Sequence, residues 1–323
     1  MLKVVGLKKY FPVQKSAIEI LLSRKIDYIR AVDGIDFEIK KGEVLSLVGE
    51  SGCGKTTTGR ILVGLEKPTE GKILFKGKDL TQLNKEEFRR MRRYIQMIFQ
   101  DPYASLNPRI KIGEHLIDPL LIHGIANREE AEEIAMKMLD RVGLPADQFF
   151  DRFPYQLSGG QRQRVAIARA MILKPEFVVA DEPVSMIDVS LRASILELLM
   201  SFKREYDLSM LFITHDLSVA KIVGDRIAVM YLGKIVEIGD TIDVIHRPKH
   251  PYTAALISSV PSFVAKRKRI EIFGDVANPI NIPKGCRFHP RCPFAKEKCR
   301  VEEPKLEGDG HKFACHYPID VEF

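Results

Sequence analysis

Leu2-Lys3-Val4-Val5-Gly6-Leu7 reads as an edge strand, and 31–39 as a second strand. Three runs are apolar almost throughout: 44–48, 177–180 and 210–214. Such runs suit strands buried on both faces of a parallel sheet. Shorter strands fit 73–75 and 95–99, and 226–231 with 234–238 reads as a hairpin about Gly233. Helical spacing marks 57–65, 85–93, 112–123, 158–173 and a stretch ending near 206. The clearest case is 128–142, with Ala131, Ile134, Ala135, Met138 and Leu139 on one stripe. Residues 14–30 are ambiguous, with Ile18, Leu21, Leu22, Ile26 and Ile29 only loosely helical. Strands alternating with helices predict an α/β core, and 100–157 reads as a helical insertion within it.

At 323 residues and 45% hydrophobic, the chain can bury a real core and suggests about two domains. No apolar stretch reaches the roughly 18–20 residues of a membrane span, and the start shows no signal-peptide pattern. The chain alone is expected to be soluble, so a membrane role has to come through a partner. A formal charge of +7 fits nucleotide binding, nucleic-acid contact, a surface near anionic lipid, or simply a lysine-rich solvated face.

The candidate chemistry centres on Gly49-Glu50-Ser51-Gly52-Cys53-Gly54-Lys55-Thr56, between an expected strand and an expected helix. This is the phosphate-loop pattern in the context it requires. Its glycines free backbone N–H groups to wrap phosphates, Lys55 reaches the β- and γ-phosphates, and the Thr56 hydroxyl ligates Mg²⁺. A second anion site is offered by Leu157-Ser158-Gly159-Gly160-Gln161, where Ser158 is a natural N-cap. Asp181, closing an apolar strand, suits Mg²⁺ held through water, and Glu182 suits a water in line with the γ-phosphate. His215 ends another buried strand and can contact the γ-phosphate. Within Tyr10-Phe11-Pro12 an aromatic ring could stack on adenine or lie in the core.

The loop, Gln100, the 157–161 signature, Asp181-Glu182, Ser185-Met186-Ile187-Asp188 and His215 stand in an order and spacing that resembles ABC-transporter ATPase subunits over 1 to about 245. Lys9 to Val13, Gln100 to Arg109, His250-Pro251-Tyr252 and the tail around Cys286 to Pro293 are similar to the oligopeptide/dipeptide importer branch. Met186-Ile187 departs from the usual Ala-Leu, which predicts altered packing at a dimer seam. The resemblance implies a P-loop, RecA-like ABC ATPase core with an antiparallel β subdomain and a helical subdomain. It implies a nucleotide-binding domain over 1–245 and a C-terminal extension over 246–323. Phe11, Gly49 to Thr56 and Thr57 would meet ATP from one subunit, and Ser158, Gly159, Gly160, Gln161 and Asp188 would complete the site. Glu182 would be the base, His215 the γ-phosphate contact, and Gln100 the sensor of Mg²⁺ and water.

The implied partners are a second ATPase subunit, with a heterodimer favoured, two membrane permeases and, indirectly, an extracytoplasmic substrate-binding protein. The implied location is the cytoplasmic face of the membrane, with no nucleic acid bound. Residues 101–115 are the expected docking surface for the permease, or else plain packing between subdomains. The cargo is expected to be di- or oligopeptides, with oligosaccharides as the alternative. A soluble relative acting in DNA repair or translation is disfavoured, because there is one phosphate loop and no long coiled-coil insertion.

Cys286, Cys292, Cys299 and Cys315 follow C-x₅-C-x₆-C-x₁₅-C in a proline-rich tail. The spacing lacks the short knuckles of zinc ribbons. Some importer relatives carry a [4Fe–4S] cluster on matching cysteines, so the resemblance implies that cluster first, with zinc or disulfides and free thiols as alternatives. The preceding Lys266-Arg267-Lys268-Arg269 run is expected to be a solvated linker or a contact for lipid headgroups.

Overall fold

The computed structural model describes residues 1–13, 27–260, 270–272, 274 and 278–323. The basic run at 266–269 and most of the ambiguous insert, 14–26, lie outside the described residues. In chain order the strands are β1 (Leu2–Pro12), β2 (Tyr28–Ile39), β3 (Val44–Val48), β4 (Glu70–Phe75), β5 (Lys78–Asp79), β6 (Ile95–Ile98), β7 (Phe177–Asp181), β8 (Ser209–Thr214), β9 (Arg226–Tyr231), β10 (Lys234–Asp240) and β11 (Lys312–Phe313). The chain divides into two compact units. One comprises Met1–Glu38, Leu45–Thr81 and Thr214–Phe323, and the other Ile39–Val44 and Gln82–Ile213.

In the first unit a four-stranded sheet runs in the order β2-β1-β4-β5. β1 pairs antiparallel with β4, matching Leu2 to Phe75 and Val4 to Ile73, all four buried. β1 was expected at a sheet edge and instead has neighbours on both sides. Its sequence alternates for one buried face, but alternation does not report which edges are paired. The same unit holds the ladder β11-β10-β9-β3. β3 and β9 are parallel, and β9 and β10 form the expected hairpin, with a bulge between Ile235 and Glu237. β11 adds the C-terminal segment through Glu237↔Phe313 and Ile238↔Lys312. At the end of β9, Tyr231 packs ring on ring with Tyr252 and Phe288, with centroids 4.7–5.4 Å apart and all three buried. Each such aromatic pair contributes about 0.5–1.5 kcal/mol beyond its burial. Phe288, from the cysteine-bearing tail, thereby joins the core beneath the phosphate loop.

In the second unit β6, β7 and β8 run parallel, with Ile98 beside Ala180 and Asp181 beside Ile213. All residues of β7 and β8 are buried, which is why both read as unbroken apolar runs. Residues 100–157 are helical as expected, in Pro102–Ser105, Ile112–Ile122, Arg128–Arg141 and Ala146–Phe149, with a short turn at Pro154–Gln156. The stripe on Arg128–Arg141 buries Ala131, Ala135, Met138 and Leu139, and a capping box between Asn127 and Glu130 starts that helix. Among the described residues no helix is long and apolar enough to cross a membrane.

Candidate functional site

The first unit carries the phosphate loop between β3 and the helix Lys55–Leu62. A Cβ on Gly49 would lie 2.2 Å from the Met230 carbonyl oxygen. One on Gly54, whose φ is 109°, would lie 2.0 Å from that of Ala31. Only glycine fits either place. The helix starts at Gly54 with no side-chain cap and no acidic residue in its first turn. Its leading N–H groups are therefore left for an anion. Lys55 is buried, and its ammonium donates to the carbonyls of Gly49 at 2.8 Å and Glu50 at 2.9 Å. Thr56 and Thr57 are half-buried beside it, and Ser51 and Gly52 are exposed at the tip. Cys53 is buried, which pushes its thiol up in pKa.

Two contacts on this loop escaped the sequence reading. The Glu50 N–H donates to the Tyr252 hydroxyl at 2.9 Å, and the Glu50 carboxylate receives both Nη groups of Arg291, at 2.8 and 3.1 Å. His250-Pro251-Tyr252 and the tail stretch holding Arg291 are family features in the sequence, but nothing there gives either of them a role at the loop. Phe11 lies half-buried near the end of β1 with the Lys9 ammonium 4.8 Å from its ring centre, so it is not a core aromatic. Its neighbour Tyr10 hydrogen-bonds Asp33; burial and that contact push the phenol up to about 12. His215 is exposed at the end of β8, one residue before the cap of the helix Leu217–Val223.

The second unit gathers the other expected residues. Gln100, just past β6, donates from Nε2 to Glu182 Oε2 at 3.0 Å. Asp181 is 2% exposed at the end of β7. Glu182 adopts φ 44°, a left-handed conformation that costs a residue with a side chain about 1–3 kcal/mol. The turn is fixed by Glu182 N–H donating to the Ile213 carbonyl at 2.9 Å and by the Ser185 hydroxyl donating to the Glu182 carbonyl at 3.0 Å. Ser158 caps the helix Gly159–Met171 as expected, in a reciprocal box with Gln161. Asp188 is exposed at the start of Val189–Tyr206. Beside it Met186 is 60% and Val189 77% exposed, whereas Ile187 is buried. Also on this unit, the Arg162 guanidinium is buried, stacks on the Tyr103 ring and donates to the Pro154 carbonyl at 3.1 Å.

The four tail cysteines belong to the first unit and line one cavity of about 10 Å³. None forms a disulfide. Burial pushes the Cys292 thiol up to about 11 and Cys315 to about 12, and raises Cys286 as well. Among the described residues no three His, Cys, Asp or Glu side chains stand arranged to hold a metal ion.

A family model described as ABC transporter matches residues 32–185, and one for the C-terminal region of oligopeptide/dipeptide transporters matches 236–299. The chain is 47% identical over 321 residues to the dipeptide transport ATP-binding protein DppF of Haemophilus influenzae, spanning 98% of this chain and 96% of that protein. It is 46% identical over 323 residues to the oligopeptide transport ATP-binding protein AppF of Bacillus subtilis, spanning 98% and 97%. Among solved structures it resembles the dimeric post-hydrolysis state of the ATP-binding cassette MJ0796 bound to ADP and Pi. The TM-score is 0.66 at 31% identity, over 75% of this chain and 99% of that one.

Proposed function

The chain belongs to the ATP-binding subunits of the oligopeptide/dipeptide ABC transporters, and on that premise we propose that it is the ATP-hydrolysing motor of a peptide importer. Separate permeases form the path through the membrane, so the subunit works peripherally on the cytoplasmic face. A second ATPase subunit, favoured as a related chain of different sequence, completes the dimer. A substrate-binding protein outside delivers the cargo. Residues 1–245 form the nucleotide-binding part and 246–323 its extension, with 101–115 as the surface offered to the permease.

In this reading the loop N–H groups and Lys55 bind the β- and γ-phosphates, and Phe11 stacks on adenine. The partner supplies Ser158, Gly159, Gly160, Gln161 and Asp188 of its own copy of the signature and of the segment before Val189–Tyr206. The Thr56 hydroxyl and the Asp181 carboxylate are hard oxygen donors that would hold Mg²⁺, with Gln100 as the proposed sensor of the ion and its water; the ion would neutralise polyphosphate charge. Glu182 takes a proton from the attacking water as the water oxygen bonds to the γ-phosphorus. The bond to the bridging oxygen breaks, leaving ADP and phosphate, and His215 holds the γ-phosphate through the change. ATP glues two half-sites, and its cleavage lets them part.

The observation that carries this reading is Glu182, held in a left-handed turn at the end of β7 with Gln100 on its carboxylate. Glu182→Gln should still bind ATP, while turnover in the assembled transporter falls at least about 100-fold. Near-parent turnover would remove Glu182 from that role. For the tail, we carry over from the family resemblance a [4Fe–4S] cluster on Cys286, Cys292, Cys299 and Cys315; the four thiols line one cavity, but at about 10 Å³ and as arranged it does not accommodate a metal centre, so assembly would have to move them apart. Anaerobically purified protein should be brown and contain iron and sulfide. Zinc alone, or no metal, would reject the assignment.

A further inference from the structure

Glu50 poses an electrostatic problem. It lies inside a loop built to bind a polyanion, yet it brings a carboxylate of its own. The structure answers this from a distant part of the chain. Arg291 meets the carboxylate through both Nη groups, at 2.8 and 3.1 Å, with the two side chains only 10% and 25% exposed. Two parallel charge-assisted bonds at low exposure distinguish this contact from an ordinary surface ion pair. The Tyr252 hydroxyl accepts from the Glu50 N–H at 2.9 Å, and the Glu50 carbonyl accepts from the Lys55 ammonium at 2.9 Å. Glu50 is thus held at its N–H, its carbonyl and its carboxylate.

The groups that hold it are themselves fixed. Tyr252 is fully buried in the aromatic cluster with Tyr231 and Phe288. Arg291 ends the short turn His289–Arg291, and its N–H donates to the carbonyl of the buried Phe288 at 3.0 Å. The guanidinium is therefore presented by a packed turn rather than by a loose chain end.

We infer that Arg291 and Tyr252 are positioning residues of the nucleotide site: they clamp Glu50 and cancel its charge, so that the phosphate loop accepts a polyphosphate. This deepens the ATP-binding reading and rests on it. The C-terminal extension then sets, through Glu50, how tightly the motor holds ATP.

The test is an ATP titration of the full chain at fixed Mg²⁺ and salt, with turnover measured in the assembled transporter. Arg291→Gln leaves the Glu50 charge uncompensated, and should raise the ATP dissociation constant and the KM about tenfold while kcat changes less than about twofold. Adding Glu50→Gln to that variant should recover most of the lost affinity, because the repulsion leaves with the carboxylate. A purely structural role would not produce that rescue. Tyr252→Phe deletes one hydroxyl from a packed ring and should weaken binding about threefold; it decides the matter if Arg291→Gln does not fold. Parent-like affinity in Arg291→Gln or in Tyr252→Phe overturns the inference, as does a double variant no better than Arg291→Gln. A parent chain that fails to bind ATP would instead overturn the reading of the site itself.

Discussion

Lys55 is a buried cation whose ammonium is parked on two backbone carbonyls of its own loop. Those neutral acceptors keep it aimed into the cradle, and a triphosphate offers it charged ones. Lys55→Ala should therefore abolish measurable nucleotide binding, a loss of at least about 100-fold in an equilibrium titration with labelled ATP. Retained affinity would mean that the loop amides alone suffice. The loop setting of Lys55 and the helix cap made by Ser158 were legible in the sequence because each depends on neighbours a few positions away. Glu50 was not, because its partner stands 241 residues further along the chain and no local pattern reports that meeting. Glu182 was legible as a carboxylate at a strand end, but its left-handed backbone depends on Ile213 and Ser185, which only the folded turn brings to it.

Among the elements, β7 and β8 announced themselves because strands covered on both faces leave no polar gap in their sequence. β1 announced its type but not its neighbours, and β11 was too short for any period to show. The join between β10 and the helix Pro251–Ser259 has a pH-dependent consequence. Glu237 of β10 is fully buried and accepts from the N–H groups of Lys249, at 2.7 Å, and His250, at 3.0 Å. His250 Nδ1 in turn accepts from the Tyr252 N–H at 3.1 Å, capping the helix in its neutral form. Burial pushes His250 down to about 4 and also lowers His115 on Ile112–Ile122. A histidine whose pKa is depressed on folding stabilises the protein fully above its unfolded value of 6.5, and this is lost as pH falls from there toward 4. For His250 the loss is about 3 kcal/mol. Thermal unfolding midpoints should fall steadily between about pH 7 and pH 4.5, and less steeply in His250→Asn. A flat profile would mean that the ring takes up its proton inside the fold.

For the whole molecule, the C-terminal region groups with Met1–Glu38 and Leu45–Thr81 in one compact unit. A boundary near 245 follows the extent of the family resemblance along the chain, while packing groups segments by the strands and rings they share. Here those are β11 on β10 and Phe288 against Tyr231. The exposed Met186 and Val189 next to Asp188 are apolar surface that a partner would cover. Light scattering of Glu182→Gln, alone and mixed with the proposed second ATPase subunit, should show an ATP-dependent pair that disperses once nucleotide is removed. Two permanent monomers under those conditions would end the shared-site account.

The turn bearing Arg291 is bracketed by Cys286 and Cys292. A reagent that rearranges those sulfurs is therefore expected to loosen the grip on fuel without touching the engine's own residues.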